Sequence, residues 1–310
     1  MSRDHLMDRN HAFPSTDGLV LGVVVTYNPG PDLRENLTSV RAQVNELLIV
    51  DNGSADAHAV EVIGRECGCL VVRNGENLGL ATALNQAVAH AKAAGFAWLL
   101  TLDQDSRPNP GVVSGLLSLS SRLADNCKVG VVGAGHRDRA TGEDYRQLGE
   151  VLSQTTDWLE VRTTITSGSL FRVRLFDRTG PFDDRLFIDA VDHDFCLRCR
   201  RMGYSIFESR YHHIDHALGE ISAVRIGPLT VRTTNHNAVR RYYITRNTLE
   251  VCRRYALIDP IWTVRSLAHL LYINLLSIVL ERDRLEKMKA EIAGLADFAF
   301  GRFGRRDFHR

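Results

Sequence analysis

Apolar positions in the first third of the chain fall into short continuous runs separated by segments of helical spacing. Leu19 to Val25 is an apolar, β-branched run broken by Thr26-Tyr27-Asn28-Pro29-Gly30-Pro31. Such a run reads as a strand covered on both faces. Leu33, Leu37, Val40 and Val44 then recur at helical spacing. Glu46 to Val50 predicts a second strand ending in Asp51-Asn52-Gly53-Ser54, where Ser54 is of the right type to cap the helix that follows. Cys69 to Val72 predicts a short third strand. Asn77-Leu78-Gly79 leads into a helix with Leu80, Leu84, Val88 and Ala91 on one face and Gly95 as its stop. A fourth run, Phe96 to Leu102, leads directly into Asp103-Gln104-Asp105. Strand and helix thus alternate four times in about eighty residues, which predicts a doubly wound, parallel sheet. Ligands of such sheets collect beyond the carboxyl ends of the strands, where this chain puts its polar residues.

The pattern then loosens. Pro108 to Leu123 reads as a helix, Val129 to Ala134 as a strand, and 136–160 as polar and irregular. Thr163 to Phe171 reads as a strand interrupted by Ser167-Gly168-Ser169, either a bulge or a close approach of backbone to ligand. Phe182 to Tyr204 predicts a loop and a helix with Asp192 in the first turn, where the helix dipole favours an acid. Beyond residue 225 basic and aromatic residues cluster in Arg240-Arg241-Tyr242-Tyr243-Ile244-Thr245-Arg246-Asn247. From Pro260 the spacing is helical, with Leu267, Leu270, Leu271, Leu275, Ile278 and Val279.

Composition adds limits. A hydrophobic fraction of 44% and a charged fraction of 24% over 310 residues are those of an ordinary soluble protein, and a net charge of +1 gives no field for nucleic acid. Six cysteines without a secretory signal imply reduced thiols and a cytoplasmic setting. Cys196-Leu197-Arg198-Cys199 has no companion pair at zinc-finger spacing. The longest apolar stretch, Ser266 to Leu280, carries His269 and is shorter than the ~18 residues of a spanning helix. With Arg253, Arg254, Arg282 and Arg284 around it, the segment suits an interfacial helix on an anionic membrane. It equally suits a helical appendix packed on the rest of the chain or on a second subunit.

Asp103 and Asp105 stand one residue apart just past a buried strand, spaced to share a hard divalent cation that completes its shell with water and phosphate. A bare D-x-D triplet is expected about once by chance in a chain of this size, and Asp192-His193-Asp194 is a second. Context must decide.

That context is a resemblance. Val23-Val24-Val25-Thr26-Tyr27-Asn28, Asp51-Asn52-Gly53-Ser54, Asn77-Leu78-Gly79 with Asn85, Leu102-Asp103-Gln104-Asp105-Ser106, Thr166-Ser167-Gly168-Ser169, Phe187-Ile188-Asp189-Ala190-Val191-Asp192 and Arg241 to Asn247 occur in order over residues 19 to 305. Together they resemble the family 2 glycosyltransferases of GT-A fold, and among these look most like bacterial rhamnosyltransferases. The resemblance implies an α/β fold with a Rossmann-like, doubly wound mixed sheet and a C-terminal helical extension. Residues 1–17 would be a flexible tail and 18–225 the catalytic domain, with a nucleotide half (18–110) and an acceptor half (111–225). Residues 226–310 would be the extension. It also implies an inverting enzyme of cell-surface polysaccharide synthesis that uses TDP-L-rhamnose and a glycan or lipid-linked glycan acceptor. Its place would be the cytoplasm, or the inner face of the cell membrane as a peripheral protein, with a homo-oligomer open.

Residue by residue, the resemblance gives Thr26, Tyr27, Asn28, Asp51 and Asn52 to base and ribose, and Asn77, Gly79, Asn85 and Gln104 to the nucleotide cleft. Asp103 and Asp105 would bind Mg²⁺ or Mn²⁺, with His216 as third ligand and His212 and His213 as its rivals. Asp192 would be the general base. Asp194 stands where many relatives have Glu, as an acceptor-side or supporting acid or as a plain helix N-terminal one, with Ser167, Gly168 and Ser169 beside it. Three rivals remain: a nucleotidyltransferase, which the Thr26–Gly30 loop does not suit, a non-catalytic nucleotide-sugar-binding protein, and transfer of another sugar such as galactofuranose or glucose.

Overall fold

The computed structural model describes residues 18–139, 142, 144–145, 150–216, 222–226, 229–233 and 235–308, so the tail expected over 1–17 lies outside them. Strands β1 (Val20–Thr26), β2 (Glu46–Asp51), β3 (Leu70–Arg73) and β4 (Trp98–Asp103) alternate with helices α1 (Leu33–Arg41), α2 (Ala57–Glu66) and α3 (Leu80–Ala93). β1 pairs in parallel with both β2 and β4, and β2 with β3. β1, β2 and β4 are buried nearly end to end. On one face Leu84, Val88 and Ala91 of α3 join a phenylalanine cluster, Phe171, Phe176, Phe182 and Phe195. Leu33, Leu37 and Val40 of α1 cover the other. The apolar runs of the sequence are continuous because neither face meets water.

One expected cap is corrected. The carboxylate of Asp56, not Ser54, accepts from Ala59 N at 2.9 Å to start α2. Ser54 lies too early and turns its hydroxyl back onto Asp51.

The second half departs further from the sequence reading. β5 (Ser106–Pro108), α4 (Val112–Ala124), β6 (Val129–Asp138), β7 (Asp144–Tyr145), β8 (Val151–Gln154) and β9 (Trp158–Val161) come next. They are followed by β10 (Ser169–Arg172), α5 (Leu175–Thr179), α6 (Val191–Arg201) and β11 (Ser205–His216). The helix expected from Pro108 starts only at Val112, because 106–108 is drawn into pairing with β11. The segment read as irregular, 136–160, holds β7, β8 and β9. These are short strands, and the described positions of β8 and β9 are half-exposed or alternate, so no apolar run announces them. The strand expected over Thr163 to Phe171 is cut to 169–172 by a turn at Gly168, whose φ is +75°. β10 then runs antiparallel between β4 and β6. The sheet is therefore mixed, in the order β3-β2-β1-β4-β10-β6-β11-β9-β8.

A hairpin of β12 (Ser222–Ile226) and β13 (Leu229–Thr233) leads into α7 (Ala238–Tyr255), α8 (Pro260–Leu280) and α9 (Arg284–Ala299). α8 corrects the length read from sequence: at 21 residues it is long and apolar enough to cross a membrane by length and composition. Its inner face is tied down by polar contacts instead. Ser277 Oγ donates to Glu291 at 2.6 Å, and Arg241 reaches the carbonyl of Ile273. The six cysteines are free, and burial pushes the Cys199 thiol up to about 12, so it stays a thiol.

Candidate active site

The carboxyl ends of β1, β2 and β4 form one edge, and hydrogen bonds among polar side chains lock their loops together. Asp51 is fully buried; its carboxylate accepts from Thr26 Oγ1 at 3.0 Å and Ser54 Oγ at 2.5 Å. Asn28, at φ 47°, takes Ser54 as acceptor for its amide N–H and offers Oδ1 to Ala55 N, both at 2.8 Å. Tyr27 N donates to Gln104 Oε1 at 2.8 Å, which joins the β1 loop to the D-x-D loop and leaves the Tyr27 side chain in solvent. Asn52 spans the next gap. Its amide donates to Asn77 Oδ1 at 3.0 Å, while its own Oδ1 accepts from Asn74 and from Leu78 N, both at 3.0 Å. Thus Thr26, Tyr27, Asn28, Asp51, Asn52, Asn77 and Gln104 come together at one edge. Asn85 does not join them: its amide is used on the carbonyl of Phe182 and the carboxylate of Asp184.

Asp103 and Asp105 lie on the turn between β4 and β5. Ser167, fully buried, accepts from Asp103 N at 3.1 Å and shares a 2.7 Å bond with Ser106. Arg139 holds the far side of this turn, donating to the Asp105 carbonyl at 3.0 Å and to Asn36 Oδ1 at 3.1 Å. Gly168 lets the backbone bend tightly past Ile214, and Ser169 turns its hydroxyl onto the Ile165 carbonyl. These three residues shape the D-x-D turn from behind.

The fit of a divalent cation rests on donor chemistry. Two carboxylates on a tight turn leave most of a hard ion's shell to phosphate and water, the pattern such ions prefer. Strand register sets His216 opposite Ser106, next to Asp105; its side chain lies outside the described atoms. His212 packs against Gly115 and His213 approaches Asp144 at 3.5 Å, which occupies both rivals elsewhere. Among the described residues no three His, Cys, Asp or Glu side chains form a closed cage.

Asp192 stands in the first turn of α6, and its Oδ1 accepts from His193 N at 2.8 Å. The loop before it is unusual: Phe187, Asp189 and Ala190 all have φ between 61° and 66°. Non-glycine residues in that region cost of order 1–3 kcal/mol each and persist only where the surroundings impose them. Here α7 imposes them. Asn247 Nδ2 donates to the carbonyls of Leu186 and Ile188 at 2.7 Å and of Asp189 at 3.1 Å. Arg246 reaches the carbonyls of Arg185 and Leu186, and Tyr243 stacks on Phe187 with ring centroids 5.0 Å apart. From the start of α3 Gly79 presses on the same loop. A Cβ there would lie 2.6 Å from the Phe187 ring, so only glycine lets α3 come this close.

Asp194, the second acid of that helix turn, faces inward. It is buried and accepts from Arg198 at 2.9 Å and Arg254 at 3.0 Å, so it fastens α6 to α7. Residues the sequence reading gave no role include Asp189, Arg240, Arg246 and Asn247. All four lie inside or beside motifs that were visible, but their juxtaposition across some sixty residues was not.

With the geometry established, three comparisons bear on it. Residues 23–180, just over half the chain, match the family described as Glycosyl transferase family 2. The dTDP-rhamnosyl transferase RfbF of Shigella flexneri is 28% identical over 90% of this chain and 94% of its own length. The N-acetylglucosaminyl-diphospho-decaprenol L-rhamnosyltransferase of Mycobacterium tuberculosis is 28% identical over 64% of this chain and 76% of its own. Among solved structures, S. aureus TarS 1-349 in complex with UDP superposes with a TM-score of 0.59 at 17% identity, over 90% of this chain and 80% of that one. The fold is GT-A.

Proposed function

The chain belongs to glycosyl transferase family 2 and is a glycosyltransferase, and on that premise we propose that it transfers L-rhamnose from dTDP-L-rhamnose, with inversion, to a hydroxyl of a glycan or lipid-linked glycan. The observation that carries the sugar is the end-to-end likeness to a dTDP-rhamnosyl transferase, 94% of which is matched. In this reading the strand-end edge is the nucleoside wall. Tyr27 is its exposed member, while Thr26, Asn28, Asp51, Asn52, Asn77 and Gln104 hold the loops that frame the base and ribose. Asp103 and Asp105, with His216, would hold Mg²⁺ or Mn²⁺, and a divalent cation there, when bound, supplies positive charge to the diphosphate.

The chain's own residues do the rest. Asp192 accepts the proton of the acceptor hydroxyl as its oxygen bonds to the anomeric carbon and the bond to the diphosphate oxygen breaks. A base and a leaving group on opposite sides of that carbon give inversion. The Asn247 clamp and the Phe187 stack fix where α6 begins, and hence where the Asp192 carboxylate stands, before any substrate arrives.

The enzyme in this reading is cytoplasmic and works as a peripheral protein on the inner face of an anionic membrane, where a lipid-linked acceptor would lie. What supports it is the outer face of α8. Ile261, Val264, Leu267, Leu271, Leu275 and Val279 are all at least 40% exposed, and exposed Arg253, Arg265, Arg282 and Arg284 stand around them. Apolar stripes with basic rims lie in membrane interfaces. The M. tuberculosis relative carries a decaprenol-linked substrate in its name.

Thermal-shift titration with dTDP and UDP, each with and without Mg²⁺, tests the donor. Ligands that bind only the folded state raise Tm as ln(1 + [L]/Kd). A metal-dependent preference for dTDP is expected. Preference for UDP would remove rhamnose and favour a sugar such as galactofuranose, in line with the 28% identity over 60% of the chain to the Mycolicibacterium smegmatis galactofuranosyltransferase GlfT1. Flotation with anionic vesicles tests the location, and absence of binding would sink it.

A further inference from the structure

The N-terminal half of α7 carries three arginines in contrasting settings. Arg241 and Arg246 are each about 1% exposed and held by protein partners, Arg241 by Glu281 and the carbonyl of Ile273 and Arg246 by backbone carbonyls and Tyr242. Arg240, between the helix start and Arg241, is half-exposed. Its backbone N–H is held by the Asn237 cap at 2.9 Å, so the root of the side chain is fixed. Its guanidinium leans on Asp189, but poorly: Nε and Nη2 both approach the same oxygen, Oδ1, at 3.2 Å. A matched fork would use both carboxylate oxygens. Here Asp189 Oδ2 is buried without a hydrogen bond among the described residues, and the remaining Arg240 nitrogen has no protein partner there either.

Charge around the pair is lopsided. Asp103 and Asp192 both lie near enough to Arg240 to raise its affinity for its proton, after Asp189, which does so most. Burial pushes Asp189 above the usual carboxylate range, so the pair is not at ease even with each other. His236 beside it is pushed down to about 3 by burial and by Arg240, Arg241 and Lys287, and stays neutral. Arg240 is thus a cation with spare donors on a fixed helix start, held against Asp189 in the strained loop three residues before Asp192.

We propose that Arg240 is a phosphate-binding residue, parked on Asp189 when the donor site is empty and transferred to the terminal phosphate of the nucleoside diphosphate when it is filled. A planar guanidinium meets a phosphate with two parallel N–H donors, which the single-oxygen contact with Asp189 does not allow. Charge that builds on the departing diphosphate would then face a fixed cation as well as the metal turn. In the empty site Asp189 competes with the phosphate for the guanidinium and keeps it off Asp192.

The inference rests on the nucleotide-sugar reading, and its test separates the two. Binding of dTDP and dTMP, or of UDP and UMP if the wild type prefers them, is measured by calorimetry with Mg²⁺ on the whole chain. Arg240→Ala is expected to weaken the diphosphate about tenfold to a hundredfold, the range of a lost charge-assisted bond, and to leave the monophosphate unchanged. Asp189→Asn removes the competing carboxylate and is expected to hold or raise diphosphate affinity. An Arg240→Ala protein that binds the diphosphate like wild type overturns the proposal. So do equal losses in both variants, which would mean an ordinary structural ion pair. A wild type that binds neither nucleotide removes the donor reading itself, and this inference with it.

Discussion

The two walls of the cleft are built from different materials. On the strand-end wall, proposed above to take the nucleotide, loops after β1, β2 and β4 are cross-linked mostly by amides and hydroxyls around one buried carboxylate, Asp51: Asn28 to Ser54, Asn52 to Asn77, Tyr27 to Gln104. On the opposite wall, the loop before Asp192 is held by α7, and α7 is itself seated by buried ions. Arg241 and Lys287 grip Glu281, all three at most 3% exposed, and Arg254 bridges Asp183 and Asp194. Neutral cross-links contribute about 0.5–1.5 kcal/mol each, whereas a buried ion left without its partner costs about 3–5 kcal/mol. The first wall can therefore be tuned position by position. The second fails as a unit.

Four measurements would break or sharpen this contrast. Asp192→Asn has the largest expected effect, a fall in turnover of about 10²–10⁴-fold with nucleotide affinity kept; unchanged turnover would remove the base from this wall. Glu281→Gln strands Arg241 and Lys287 and is expected to lower stability by about 3–5 kcal/mol in denaturant titration. A loss below about 1 kcal/mol would mean the ions do not seat α7. Next come two amide variants of similar cost, about 1–3 kcal/mol each, that should fail in opposite ways. Asn52→Ala should raise the nucleotide Kd and spare kcat, while Asn247→Ala should lower kcat and spare the Kd. Matching phenotypes would erase the distinction between walls.

The smallest effect is in pH. Burial raises the Glu291 carboxyl above its ordinary value, ahead of the opposing Ser277 bond. Its proton is held more tightly folded than unfolded, so stability is full below the unfolded pKa, near 4.5, and declines as pH rises through the folded one. Glu291→Gln should flatten that part of a Tm–pH curve. A slope unchanged in the variant would assign it to another group.

How far the sequence could be read follows from the same contrast. The strand-end edge was legible as a place because β1, β2 and β4 are continuous apolar runs that end in their own polar residues, so the motif and the place coincide. Leu99 to Asp103 is the clearest case, buried along β4 up to its last residue. The β7–β9 region was missed because such short strands carry no run, and Pro108 was taken into the helix because only its partner, β11, makes 106–108 a strand. On the far wall the residues were quoted but their roles were invisible. Asn247 contacts carbonyls about sixty residues earlier, and no local pattern reports which carbonyls those are. Asp194, readable from sequence either as an acceptor-side or supporting acid or as a plain helix N-terminal one, turns its carboxylate into the interior, which no local pattern announces.

The Asn247 clamp also has a meaning in time. Asp192 leaves the ribosome with the sheet, but the helix that forces its loop into shape is made later, and Glu281 and Lys287, which seat that helix, later still. Domains made first fold first. A nascent chain would thus display a finished nucleotide wall while its base loop, unsupported, relaxed to ordinary dihedrals. In the proposed reading, catalytic competence would arrive only once α7, α8 and α9 had been made.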